Sequence, residues 1–366
     1  MRISSRVHIP WFLRGALICC AVFAEPAPDA LPDPVRQPVP STLEHARILN
    51  EAAELHDRGE YAVAIGKYNA VLSANPDDIR AIWELSLSYF ASKDYDRCIA
   101  TARRGAEYKS RLLTKFYGMM GSCLDDDGKP GEALALYRAA AKQFPADSTL
   151  EFNLGITLAK LQQWDEARAA MRTTVTLDPN YASAHFRLGT FYARTGARLP
   201  AALALCRFLV LEPDSERSIS ALVALQGIFD SYVKRGDKAK QISVIVKLDT
   251  PKEDGDFGAL DMALGVVLAN NTLDSEKAKS KDDLLTSTFE RLLAIATETP
   301  EGPAEFWQKY YLRYFRELKA KGYVEPFVHV ITIKGDLPGA SDWLRRNWGS
   351  VQDFQAWSKA YRFDNP

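Results

Sequence analysis

Residues 148–181 read STLEFNLGITLAKLQQWDEARAAMRTTVTLDPNY, and their skeleton returns at a fixed interval. Gly155, Ala167 and Pro179 are followed thirty-four residues later by Gly189, Ala201 and Pro213. Units begin near residues 45, 79, 114, 148 and 182. A period of this length marks small supersecondary units, none able to bury its own apolar face without stacking on the next. Within one unit, Leu154, Leu158 and Leu161, then Trp164, Ala167, Met171 and Val175, fall at helical spacing. Each unit therefore predicts two helices. They cross closely where Gly155 faces Ala167, so a leucine at Gly155 is expected to overpack the crossing. Proline a little past the last periodic residue stops the second helix.

The first small position holds Ala52, Ser86, Gly121, Gly155 and Gly189, and the second holds Ala64, Cys98, Ala133, Ala167 and Ala201. Pro76, Pro145, Pro179 and Pro213 close four units; Ser110 stands in that place in the other. On these residues the chain resembles the tetratricopeptide repeat family, here as an exported protein of bacterial type. The resemblance implies an all-α fold, a right-handed α-α superhelix of antiparallel helix pairs, over residues 42–215.

Ahead of the repeats, Arg2 and Arg6 precede an apolar stretch from Trp11 to Phe23, ending at Val22-Phe23-Ala24. This predicts a secretory signal peptide over 1–24, cleaved after Ala24. An uncleaved anchor and lipid attachment at Cys19 or Cys20 are the rivals. The apolar run is short for a span, and no small residue stands where a lipid-attachment signal wants one. No later segment is long and apolar enough to cross a membrane. The expected location is periplasmic or secreted. Cleavage removes Arg2, Arg6 and Arg14, lowering 46 basic residues to 43 against 47 acidic ones. Such a balance recruits neither nucleic acid nor an anionic surface. Residues 25–41 carry Pro26, Pro28, Pro32, Pro34, Pro38 and Pro40 and predict a disordered, extended spacer. Cys98, Cys123 and Cys206 are expected to be small buried hydrophobes, although Cys98 and Cys123 lie on consecutive helices and could meet.

Beyond residue 215 the period decays over a degenerate helical region, 216–302. Helices are expected at Ser218–Arg235, at Ala239–Leu248 as its partner, at Ala259–Ala269 and at Leu284–Thr297, with an exposed insertion at 270–283. Residues 303–366 are rich in aromatics: Phe306, Trp307, Tyr310, Tyr311, Tyr314, Phe315, Trp343, Trp348, Phe354, Trp357 and Tyr361. Ser341 and Ser350 look like N-caps of two short helices. This region predicts a helical cap over the last open face of the stack. The alternative is a C-terminal domain with glycan-binding or enzymatic activity, carried on the repeats.

No catalytic motif is present: no paired zinc ligands, P-loop, nucleophile elbow or dinucleotide fingerprint. No cofactor or metal is implied. Asp125-Asp126-Asp127-Gly128 lacks the alternating ligands of a calcium loop and predicts a solvated turn. The remaining candidate is an inner groove, which the resemblance lines with the first helix of each unit. Its inward positions are Leu49, Trp83, Gly118, Phe152 and Phe186, then Ala53, Leu87, Ser122, Ile156 and Thr190. Arg80, Lys115, Arg187 and Arg194 supply a basic fringe. Such a groove suits an extended or helical segment with apolar anchors and some acid. Trp83, Phe152 and Phe186 equally suit packing between adjacent first helices, and both readings stay open. A clamp for carboxylate tails is unsupported, since Asn153 is the only matching amide. The expected partner is an unidentified protein or peptide, bound by a non-catalytic scaffold; oligomeric state is not legible.

Overall fold

The computed structural model describes residues 31–235, 242–245, 254–274, 281–298, 305–335 and 340–362. The signal peptide and residues 25–30 lie outside them. Ten helices form five antiparallel pairs: α1 (Leu43–Asp57) with α2 (Tyr61–Ala74), α3 (Ile79–Ala91) with α4 (Tyr95–Ala106), α5 (Leu113–Asp126) with α6 (Pro130–Gln143), α7 (Ser148–Lys160) with α8 (Trp164–Leu177), and α9 (Ala182–Thr195) with α10 (Arg198–Leu211). Local chemistry starts several of them. The Asp78 carboxylate accepts from Ala81 N, and that of Asp147 from Thr149 N and Leu150 N, which satisfies orphan amides of the first turn.

Every intra-pair turn places one residue in the left-handed region: Gly59, Lys93, Gly128, Gln162 and Gly196, with φ of 80°, 62°, 77°, 60° and 84°. The helix crossings are as close as the small residues suggest. A Cβ added at Gly155 would lie 2.5 Å from Met171 Cε and 3.3 Å from Ala167 O, and one at Gly189 would meet Leu205 at 2.7 Å.

Helix α10 carries Arg198 and Arg207 among otherwise apolar residues, and Arg198 through Val210 are all buried. A helix buried over that whole length must be covered all round. One side rests on α9. Helix α11 (Glu216–Asp230), opened by a Ser215/Ser218 capping box, stacks beside it as the first helix of an unfinished sixth pair. The remaining side is taken by the C-terminal helices. These are α12 (Gly258–Asp274), α13 (Lys281–Glu298), α14 (Glu305–Trp307) running through a π-helical turn at Gln308–Leu312 into α15 (Arg313–Ala320), α16 (Val324–Ile331), α17 (Ala340–Arg346) and α18 (Trp348–Ala360).

Several details depart from the expectations. After α11 the chain forms an antiparallel hairpin, β1 (Val233–Arg235) on β2 (Ile242–Val244), with Val233 opposite Val244. The expected helix at 239–248 is a strand in its described part, because Ile242 and Val244 are β-branched and alternate. Helix α12 runs on to Asp274, and Asn271 is buried against Thr288 rather than exposed in an insertion. Ser341 and Ser350 lie inside α17 and α18. Asn347 stands at the junction instead, its side-chain amide donating to Trp343 O at 3.0 Å.

Cys98 and Cys123 are bonded in a disulfide between α4 and α5, Cα atoms 6.5 Å apart, which corrects the expectation of three free thiols; Cys206 is free and buried. Residues 31–41 are docked, not a disordered spacer. Val35 N and Arg36 N both donate to Glu107 O, Lys109 N donates to Arg36 O, and Val39 N donates to Asp77 O. Proline excludes helix without excluding a docked, extended path. No helix among the described residues is long and apolar enough to cross a membrane.

Candidate functional site

The first helices α1, α3, α5 and α7 pack side by side, so residues at equivalent places share one face. On that face Trp83, Leu87, Phe152 and Ile156 are half-buried, as is Phe186 on α9. Each ring leans on the next element of the stack. Trp83 meets Phe116 of α5 edge-on at 5.5 Å, Phe152 stacks on Tyr181 at 5.0 Å, and Phe186 tilts against Phe208 at 4.9 Å. These aromatics therefore pack between neighbours and keep part of each ring at the surface. Leu49 and Gly118, expected to face inward, are buried. Their places hold close packing of one helix on another.

The basic fringe is attached to the same rings. Lys115 Nζ lies 6.0 Å from the Trp83 ring centre and the Arg187 guanidinium 6.0 Å from that of Phe186. Arg194 sits over Trp164 at 4.7 Å, and Arg80 donates to Asn50 Oδ1 at 2.7 Å. Cations over rings are attracted by the π-face. Among the described residues, Arg80, Lys115 and Arg187 form no ion pair. Burial raises the Glu84 carboxyl above its ordinary range, Arg80 and His56 opposing that rise. Burial likewise raises the Tyr181 hydroxyl beside Phe152. The face thus offers apolar steps with unspent positive charge. Ser122 shares a hydrogen bond with Tyr137, and the Thr190 hydroxyl donates to Arg187 O, which ties both to the local framework.

The three-aspartate turn is neutralised from within. Lys160 pairs with Asp125 and Asp126, and Lys129 with Asp127. Among the described residues no cluster of His, Cys, Asp and Glu is arranged to hold a metal. His56 bonds Ser88, His185 bonds Tyr311 and Pro179 O, and His329 stacks on Trp343.

A second concave feature was not foreseen. On the second-helix side a groove of about 950 Å³ runs between α4 and α6 over α5, lined by Ile99, Ala106, Met120, Leu124, Ala135 and Leu136. One end is closed by the chain's own residues Leu31 to Val35. Leu31 is 7% exposed, and Pro32 O accepts from the Tyr117 hydroxyl at 3.3 Å. The clasp that holds this strap is Arg36. It pairs with Asp77 at 2.5 Å and lies over the Tyr108 ring, whose hydroxyl donates to the same Asp77. Leu31, an apolar residue next to Pro32, was the available signal.

Residues 126–188 match the family model described as tetratricopeptide repeat. Among curated proteins, the Drosophila melanogaster protein O-mannosyl-transferase Tmtc1 is 32% identical over 101 residues, 26% of this chain and 12% of that one. The chain therefore spans a small fraction of that relative's length. Among solved structures, TTC0263, a thermophilic TPR protein of Thermus thermophilus, is 17% identical with a TM-score of 0.42, covering 50% of this chain and 99% of its own. YrrB, titled a TPR protein with an unusual peptide-binding site, is 22% identical with a TM-score of 0.37, covering 49% and 90%. The matched residues span the end of α5 through the first half of α9, and the pairs on either side repeat the same turn: the fold is an all-α solenoid of the tetratricopeptide-repeat type, its helix pairs running from Leu43 to Leu211.

Proposed function

We propose that this protein is a non-catalytic scaffold of the cell envelope that holds a partner protein or peptide on the face formed by its first helices. One observation carries the reading. Trp83, Phe152 and Phe186 are only half-buried, although each already has an aromatic neighbour, and Lys115 and Arg187 lie over two of these rings without an acid. A partner segment with apolar anchors and carboxylates would cover the rings and pair the cations. The envelope location is supported by the apolar leader of the sequence and by the Cys98–Cys123 disulfide, a bond that persists in oxidising compartments. The C-terminal aromatics support a cap: Trp307, Tyr311 and Tyr314 are buried within the core.

Affinity capture from envelope extract with the purified protein tests the reading. Trp83→Ala combined with Phe152→Ala is expected to lose captured partners while keeping helicity. Retention of every partner by that variant would remove this face from consideration. The mass of the exported chain would report cleavage after Ala24.

A further inference from the structure

In the five complete pairs the small residue of the first helix, Ala52, Ser86, Gly121, Gly155 or Gly189, is buried against the second helix. Thirty-four residues after Gly189 stands Val223 of α11, and it is 69% exposed. Ile219 and Gln226, thirty-four residues after the buried His185 and Tyr192, are exposed as well. The side of α11 that a second helix would cover therefore faces solvent. Among the described residues α11 packs on α10, α9 and β1, and through Phe229 on Phe289 of α13. We propose that this open side docks an amphipathic helix of another protein, apolar along its middle and basic at both ends, which completes the sixth pair. The row of Trp83, Phe152 and Phe186 continues at Ser220, so the inner face is a neighbouring surface and not this one.

The surface has the shape for a helix. Ile219 and Val223 lie one turn apart on one side, and a Cβ at Gly227 would have open space around it. The turn at 332–335 brings up the exposed Ile333 beside them. Lys334 Nζ pairs there with Asp214 at 2.6 Å, and a Cβ on Gly335 would lie 3.6 Å from Leu222 Cδ1. Ile219, Leu222, Val223 and Ile333 thus form an apolar ledge. The crossing position carries valine here, so the incoming helix must supply the small residue itself, alanine or glycine.

Charge selects the occupant. Glu216 and Asp230 each stand seven residues from Val223, about two turns, and so mark the two ends of the same side. Neither has an ion pair among the described residues; Lys334 is taken by Asp214 and Arg217 by Glu212. Basic residues near both ends of an incoming helix, about 21 Å apart, would meet them. A second copy of α11 is the wrong occupant. Two copies crossing antiparallel at Val223 would set Glu216 of each chain beside Asp230 of the other, and like charges repel.

Two synthetic helical peptides of about eighteen residues test this against the full chain. One has alanine at its centre, leucine one turn to either side and lysines at each end; the other has glutamate for lysine. By fluorescence anisotropy the lysine peptide is expected to bind the native chain about tenfold more tightly than the glutamate peptide. Val223→Lys is expected to lose that binding with helicity unchanged by circular dichroism, since Val223 is exposed. Glu216→Lys with Asp230→Lys should invert the preference between the peptides, which a folding defect does not do. Trp83→Ala with Phe152→Ala should bind the lysine peptide as the native chain does. The inference is overturned if the native chain binds neither peptide or both alike, or if the Trp83 and Phe152 variant loses the lysine peptide. It is also overturned if the native chain sediments as a dimer that Val223→Lys dissociates, which would make a second copy the occupant. Partner capture on the inner face is scored separately, so failure here leaves the scaffold reading untouched.

Discussion

The Tyr311 hydroxyl donates to Nδ1 of His185 at 2.7 Å, joining the fifth repeat to the C-terminal cap across 126 residues of chain. The other ring nitrogen faces Pro179 O at 3.0 Å, a group that only accepts, so Nε2 carries the proton and Nδ1 is the acceptor. The ring is neutral and fully buried. Burial first, and the nearby Arg207 charge second, hold its pKa down at about 3 against an ordinary 6.5.

A depressed pKa favours the folded protein while the ring stays neutral. That contribution is complete above pH 6.5 and is lost as the pH falls towards 3. Down to about pH 4.5, where the carboxylates begin to titrate, the loss is on the order of 2 kcal/mol. His185→Gln keeps an N–H for Pro179 O and removes the titration. Denaturant midpoints between pH 6.5 and 4.5 are expected to fall for the native chain and to fall distinctly less for His185→Gln. Parallel slopes would assign the acid sensitivity elsewhere.

Five equivalent turns hold one left-handed residue each, and two of the five are not glycine. An L-residue there costs about 1 kcal/mol through the contact of Cβ with the backbone. Lys93 and Gln162 are exposed, so no packing opposes their replacement. Lys93→Gly and Gln162→Gly are each expected to stabilise by about 0.5 kcal/mol, the extra freedom of glycine in the unfolded chain offsetting the rest. Gly128→Ala, in the equivalent turn of the third pair, is expected to destabilise by about 1 kcal/mol. Thermal midpoints of the three variants check the pattern, which fails if the signs do not split by residue type.

The repeats were legible because Gly155, Ala167 and Pro179 recur with a period that only stacked helix pairs explain. What broke the period was harder to see. The β1–β2 hairpin is three residues per strand, too short for alternation at Ile242 and Val244 to outweigh the surrounding helical pattern. The π-helical turn at Gln308–Leu312 has no signal in residue type. Pro32, Pro34, Pro38 and Pro40 hid a docked strap because they forbid a helix, which is easily mistaken for forbidding order. On the candidate face, Trp83 and Phe152 stayed ambiguous for a physical reason. An aromatic ring at helical spacing covers its neighbour and still presents an edge, so spacing alone does not separate packing from recognition.

The Cys98–Cys123 bond closes a loop with a sequence separation of 25 and ties the second repeat to the third. A loop of that size contributes about 3 kcal/mol by restricting the unfolded chain. Because repeat arrays lose cooperativity locally, the effect should concentrate in the first three pairs. Cys98→Ala with Cys123→Ala, or reduction of the native protein, is expected to raise hydrogen exchange in α1 to α6 and to leave α9 and α10 protected. Uniform loosening of the whole chain would contradict that division.

Trp307 links three parts of the C-terminal half. Its ring is fully buried, edge-on to Tyr192 of α9 at 5.2 Å and to Phe257 at 5.7 Å, and its Nε1 donates to Asp254 at 3.0 Å. Asp254 is itself buried and also receives the Tyr192 hydroxyl and the Arg172 guanidinium. Packing and hydrogen bonding can therefore be separated by substitution. Trp307→Phe keeps most of the ring contact and removes one of three donors to a carboxylate that retains its cation, a cost of about 1 kcal/mol. Trp307→Ala also opens a cavity between the cap and the repeats, a cost of about 3–5 kcal/mol. Since α10 is apolar apart from Arg198 and Arg207, loss of the cap turns largely apolar surface towards water, and aggregation should accompany the alanine variant alone. Denaturation with light scattering distinguishes the two, and equal effects of Phe and Ala would mean that the hydrogen bond to Asp254, not the packing, holds the cap in place.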